Sequence, residues 1–162
     1  MNNISFFAII IIFKYRIKEY FKEYHYTILS PLISNILFVI IFTTIDSYYS
    51  IKIEGKSFIE FIIPGLILIA VMQETFDNSS NTLINMKQIG SFNDYLTAPI
   101  SRIEIYFAFL FSSIFIGIFL GFTNFIILSL IVNFETLNII FFLYYLVVAI
   151  IFFSSLGCII GF

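Results

Sequence analysis

Two stretches near the end of the chain, residues 103–132 and 137–162, contain one charged side chain between them, Glu104. A bilayer core is crossed by about 20 apolar residues in a helix, and lipid accepts only segments whose backbone hydrogen bonds close internally. Both stretches are long enough to cross, and residues 27–45 and 58–76 pass the same test. The pattern predicts an all-α polytopic membrane protein with about four transmembrane helices. Composition agrees, at 60% hydrophobic and 11% charged residues with a mean hydropathy of +1.05, well above the range of soluble domains. In 162 residues four spans leave room only for short loops, so no separate soluble domain is expected.

Several function classes fall away on residue counts. A net charge of −2 provides no broad basic surface for nucleic acid. The lone Cys158 has no second cysteine, which excludes disulfide and thiolate–metal frameworks. No nucleophile with an adjacent base can be assembled, so the chain is expected not to be an enzyme and to hold no metal or cofactor. The single histidine, His25, reads as a headgroup-level residue. Gly55-Lys56-Ser57 imitates the end of a phosphate-binding loop, yet the first glycine of that pattern would fall on Ser50. Asn78-Ser79-Ser80 fits the glycosylation triplet on a side predicted to be cytoplasmic.

Residues 4–13 are apolar but too short to span, and they lack the basic lead and small-residue cleavage site of a signal peptide. They run into a charged stretch where Phe13, Ile17, Tyr20 and Tyr24 recur at helical spacing beside Lys14, Lys18 and Lys22. Residues 1–26 are therefore predicted as an amphipathic helix in the membrane interface, its lysines near anionic headgroups. In the first span Pro31 falls within the first turns, where a missing donor is tolerated. In the second, Phe61-Ile62-Ile63-Pro64-Gly65-Leu66 places a helix break or bend at Pro64 and Gly65. Glu60 and Glu74 fall near the ends of that span, where carboxylates reach water. Residues 46–57 form a short polar loop, and Asn133-Phe134-Glu135-Thr136 a tight turn. Lys14, Arg16, Lys18, Lys22, Lys87 and Arg102 lie on one side of the membrane against Lys52 and Lys56 on the other. That asymmetry predicts a cytoplasmic N-terminus. Gly117 with Gly121, and Gly157 with Gly161, have the spacing that lets helices approach closely, within the subunit or across a dimer.

The polar island at residues 77–102 is the natural place for a soluble partner to dock. Gly90 permits a tight turn, Phe92, Tyr95 and Leu96 offer an apolar face at helical spacing, and Pro99 ends the element before the next span. Phe61-Ile62-Ile63-Pro64-Gly65, followed by Lys87, Gly90-Ser91-Phe92-Asn93-Asp94-Tyr95-Leu96 and Pro99-Ile100-Ser101-Arg102, resembles the ABC-2 type permeases, the membrane subunits of ABC exporters for drugs, polysaccharides and lipo-oligosaccharides. The resemblance runs over residues 27–162, which form a partial transmembrane domain. It implies that the 77–102 loop carries a coupling helix seated on a cytoplasmic ABC ATPase, with Lys87, Gly90, Phe92, Asn93, Asp94, Leu96 and Pro99 in or beside it. Asn93 stands where the family often has an acidic residue, although Asp94 adjoins it. The resemblance further implies a plasma-membrane permease that works as a dimer with a second copy, ATP being bound by the separate subunit. Few intramembrane charges favour an amphipathic, lipid-linked or drug-like substrate over an inorganic ion. The family usually has two more spans, so the chain reads as truncated and is expected not to transport alone. The alternative is a membrane anchor or assembly factor without transport activity.

Overall fold

The structure, a computed structural model, describes residues 6–49, 52–53, 56–132 and 139–162. Helix α1 spans Phe6–Lys22, and a single π-helical turn, His25–Leu29, leads into α2, Ser30–Tyr49. Two strands of two residues each, β1 (Lys52–Ile53) and β2 (Lys56–Ser57), pair antiparallel. The long α3, Phe58–Ile89, follows, then the short α4, Phe92–Thr97, then α5, Arg102–Ile131, and α6, Ile139–Gly161. Among the described residues four helices are long and apolar enough to cross a membrane: His25–Tyr48, Phe58–Ile89, Arg102–Ile131 and Ile139–Gly161. The chain is thus an all-α, multi-pass membrane protein. The predicted turn at residues 133–136, and Ser50 and Gly55 of the polar loop, lie outside the described residues.

α3 is the central post of the bundle. Its buried positions Ile59, Ile63, Ile67, Val71, Thr75, Ser79 and Leu83 recur every four residues, the ridge that packs into the grooves of neighbouring helices. The first half of this stripe is bulky and joins Val39, Leu128, Leu146 and Ile150 in one cluster. Beyond Val71 it turns small and polar, and there the neighbours supply glycines. A methyl group at Gly121 would lie 3.3 Å from Val71 Cγ2, one at Gly157 2.8 Å from the Phe76 carbonyl, and one at Gly161 2.9 Å from Leu83 Cβ. Gly117 faces Thr75 and Ile150. Both glycine pairs therefore lie against α3 inside the subunit. Close approach of this kind holds helices together where lipid removes the hydrophobic drive. The hydroxyls in the stripe cause no polar deficit, because Thr75 Oγ1 donates to Val71 O (2.8 Å), Ser79 Oγ to Thr75 O (2.7 Å) and Ser80 Oγ to Phe76 O (2.8 Å).

Three expectations change. α3 continues to Ile89 instead of ending at residue 76, so the first half of the predicted loop at residues 77–102 is helix; Glu74 consequently sits mid-helix. At 1.5 Å per residue α3 is roughly 48 Å long, more than the roughly 30 Å hydrocarbon core needs. The helix runs without interruption through Pro64 and Gly65. Pro64 is in the second turn, where losing one backbone donor leaves the rest of the ladder intact, and nothing packs within 4 Å of a methyl placed on Gly65. In α1 the buried face is Ile12, Arg16 and Tyr20, whereas Tyr24 is exposed. Phe13 and Phe21 instead meet Phe115 and Phe119 of α5, at ring separations of 5.8 and 5.1 Å. α1 therefore packs along the side of α5.

Candidate functional site

The island is built from its turn outward. α3 ends on Gly90, whose φ of +86° lies in the left-handed region and whose N–H bonds back to Lys87 O; glycine takes this conformation without steric cost. The chain reverses into α4. At the far end Ala98 is extended, Pro99 is exposed, and Ser101 opens α5 with a capping box: Ser101 N–H donates to Glu104 Oε2 at 2.8 Å, and Glu104 N–H to Ser101 Oγ at 3.3 Å. A six-residue helix is thus fixed at both ends by backbone chemistry.

α4 has two faces. Phe92 packs edge-on against Phe162 at 6.1 Å and Tyr95 against Phe109 at 6.2 Å. Asn93, Asp94, Leu96 and Thr97 are exposed. The apolar face predicted from Phe92, Tyr95 and Leu96 is therefore split: the two aromatics anchor the helix and Leu96 points outward. Lys87 is exposed, its Nζ donating to the carbonyls of Gly161 and Phe162 at 2.7 Å each and lying 5.5 Å from the Phe92 ring. Lys87 so links the end of α6 to α3 and α4.

Beside the island a cleft of about 720 Å³ opens between α1, the last turns of α3 and α4. Its floor is Arg16, only 3% exposed. Arg16 Nη1 donates to Glu19 Oε2, and Nη2 to both the carbonyl and Oδ1 of Asn78, all at 3.0 Å. The guanidinium also covers the Phe109 ring at 4.7 Å. Burial pushes the Arg16 guanidinium below its usual value, against the pull of Glu19, and burial raises the Tyr95 hydroxyl. Asn78 Oδ1 also accepts from Ser113 Oγ at 3.4 Å, so one amide joins α1, α3 and α5. A turn further on, the Tyr20 hydroxyl donates to Thr27 O at 3.0 Å; burial first, then the charge of Glu74, raises it.

Sequence reasoning used Arg16 only as one of six basic residues and Asn78 only as a rejected glycosylation acceptor. The available signal was an arginine with Ile12 and Tyr20 four residues to either side, the one cation on an inward stripe. A second pair was also missed. Buried Asn35 of α2 donates to Oδ1 of fully buried Asn124 of α5 at 2.8 Å, and Asn124 Nδ2 donates to Leu120 O. Among the described residues no group of three or more histidine, cysteine or carboxylate side chains is placed to hold a metal ion.

Comparison with known proteins agrees with this architecture. The family model described as ABC-2 type transporter matches residues 8–162. The chain is 24% identical over 161 residues to the inner membrane transport permease YadH of Escherichia coli K12, and equally to the proteins of that name from E. coli O157:H7 and Shigella flexneri. The alignment covers 99% of this chain and 63% of each relative, so the chain spans less than two thirds of their length. No solved structure gives a significant match.

Proposed function

The chain belongs to the ABC-2 type transporter family, and on that premise we propose that it is the permease of an ABC-type export system, supplying the passage while a separate cytoplasmic ATPase binds and hydrolyses ATP. The relatives are named inner membrane permeases, and the same location, the plasma membrane with the N-terminus and island in the cytoplasm, is proposed here. The reading is carried by α4: a short helix locked from inside by Phe92, Tyr95 and the Gly90 turn, with Asn93, Asp94, Leu96 and Thr97 left outward. Such an element takes up a push without deforming, because its inner aromatics bear on α5 and on Phe162 at the end of α6. A second copy completing the passage, and an amphipathic, lipid-linked or drug-like cargo, belong to the same proposal.

Co-purification tests it. In cells producing the full permease with its ATPase, Asp94→Lys and Leu96→Asp should leave the permease at normal abundance in the membrane and lower the recovered ATPase several-fold. Gly90→Val forces a β-branched residue into the left-handed region and should act likewise by tilting α4. Undiminished ATPase recovery with all three variants would remove the coupling role.

A further inference from the structure

We propose that residues 23–31 form a hinge, latched by the Tyr20 hydroxyl, about which α1 swings as a lid over the cleft while α2 stays fixed. The chain is helical on both sides of this segment and irregular only within it: after a turn at Glu23, the π-helical turn His25–Leu29 runs straight into α2. Single π turns of this kind are found where a helix bends and at functional sites. Its cause lies in the sequence. In an α-helix the N–H of residue 31 donates to the carbonyl of residue 27, and Pro31 has none to give. The Tyr20 hydroxyl takes that carbonyl instead, donating to Thr27 O at 3.0 Å. Thr27 returns the contact, its Oγ1 donating to Tyr20 O at 3.2 Å and to Glu23 O at 3.1 Å. Side chains therefore tie the end of α1 to the start of α2 where a backbone donor is missing.

The two sides of the hinge are anchored separately. α1 rests on α3 and α5 through Arg16 on Asn78, Phe13 on Phe115 and Phe21 on Phe119. α2 is held by Asn35 on Asn124 and by Val39 in the cluster with Ile63 and Ile67. Between them the π turn has no buried residue, and Tyr24 and Tyr26 are exposed, so bending there disturbs little packed surface. The docked position of α1 also carries a cost. Arg16 Nε is buried without a partner among the described residues, and an unsatisfied buried donor opposes the bonds that the rest of the guanidinium makes. α1 forms one wall of the cleft and α3 with α4 the other, so the swing opens the cleft and leaves the spans in place.

The test is pulsed electron–electron resonance on the full permease in lipid nanodiscs without ATPase, with Cys158→Ala as background, so its failure would leave the coupling reading untouched. Spin labels go on exposed positions: Lys14→Cys with Gln88→Cys reports α1 against α3, and Tyr48→Cys with Gln88→Cys reports α2. Tyr20→Phe, which keeps the ring and loses the hydroxyl, should raise the longer-distance population of the first pair several-fold and leave the second pair unchanged. Thr27→Val, which removes the returning hydroxyl, should act in the same direction. In a Pro31→Ala background the restored N–H satisfies Thr27 O, and Tyr20→Phe should then shift the first pair much less. Unchanged distances in both Tyr20→Phe and Thr27→Val would remove the latch. Equal shifts with and without Pro31→Ala would reduce the hydroxyl to an ordinary packing contact, and a second pair moving with the first would make α1 and α2 one rigid body; either result would overturn the proposal.

Discussion

Arg16 shows how one side chain decides the placement of a whole helix. A guanidinium removed from water needs partners for its charge and its donors, and here α1 supplies one acceptor, Glu19, while α3 supplies two through Asn78. At about 1.5 kcal/mol for each bond to Asn78, Arg16→Ala should loosen α1 by about 3 kcal/mol, on the order of a hundredfold in its docking equilibrium. Labelling of a cysteine at Ile12, buried in the parent protein, should accelerate accordingly; unchanged labelling would show that the aromatic contacts alone hold α1. The glycines allow a paired comparison. Gly157→Ala places a methyl 2.8 Å from the Phe76 carbonyl and against Ser79, and overpacking of this kind costs about 1–3 kcal/mol. Gly65→Ala meets nothing within 4 Å and removes backbone freedom from the unfolded chain, a gain of about 0.4–1 kcal/mol. Thermal unfolding in detergent should fall for the first and rise for the second.

At the level of elements, α2 has the smallest buried share of the four candidate spans, so its amide contact to α5 is a large part of its attachment. A double-mutant cycle with Asn35→Leu and Asn124→Leu should return a coupling energy of about 0.6 kcal/mol, with about 1.7 kcal/mol as the upper range for such pairs in membranes. Strictly additive losses would mean that the 2.8 Å bond contributes no net stability. The spans themselves were legible because an apolar run of bilayer length has few other solutions. Their ends were less so: α3 runs past residue 76 because Asp77, Asn78, Asn81 and Asn85 occupy ordinary helical positions that polarity alone marks as loop. The four-residue stripe from Ile59 to Leu83 was hidden for a related reason. Thr75 and Ser79 look polar in sequence and become core residues only once their hydroxyls bond the preceding turn.

For the whole molecule, Arg16 and Lys87 lie beside the island while β1 and β2, carrying Lys52 and Lys56, join the other ends of α2 and α3. The excess of basic residues therefore belongs to one end of the bundle, the end proposed to be cytoplasmic. An impermeant thiol reagent added to intact cells should label a cysteine at exposed Tyr48 and spare one at Ser91; the reverse pattern would invert the protein in the membrane. At this scale the sequence identified the island and its turn residues, because Gly90 and Pro99 have local backbone reasons to be there. The cleft was illegible, since it joins α1 to segments more than 60 residues away. That separation also matters during synthesis. Asn78 follows Arg16 by 62 residues, roughly 3 to 12 seconds of translation at 5–20 residues per second, and α5 emerges later still. Through that interval α1 has an arginine and an apolar flank but no helix to rest on. Lys14, Lys18 and Lys22 stay exposed on that segment, and lysines so placed are the kind of side chain that an anionic lipid surface attracts.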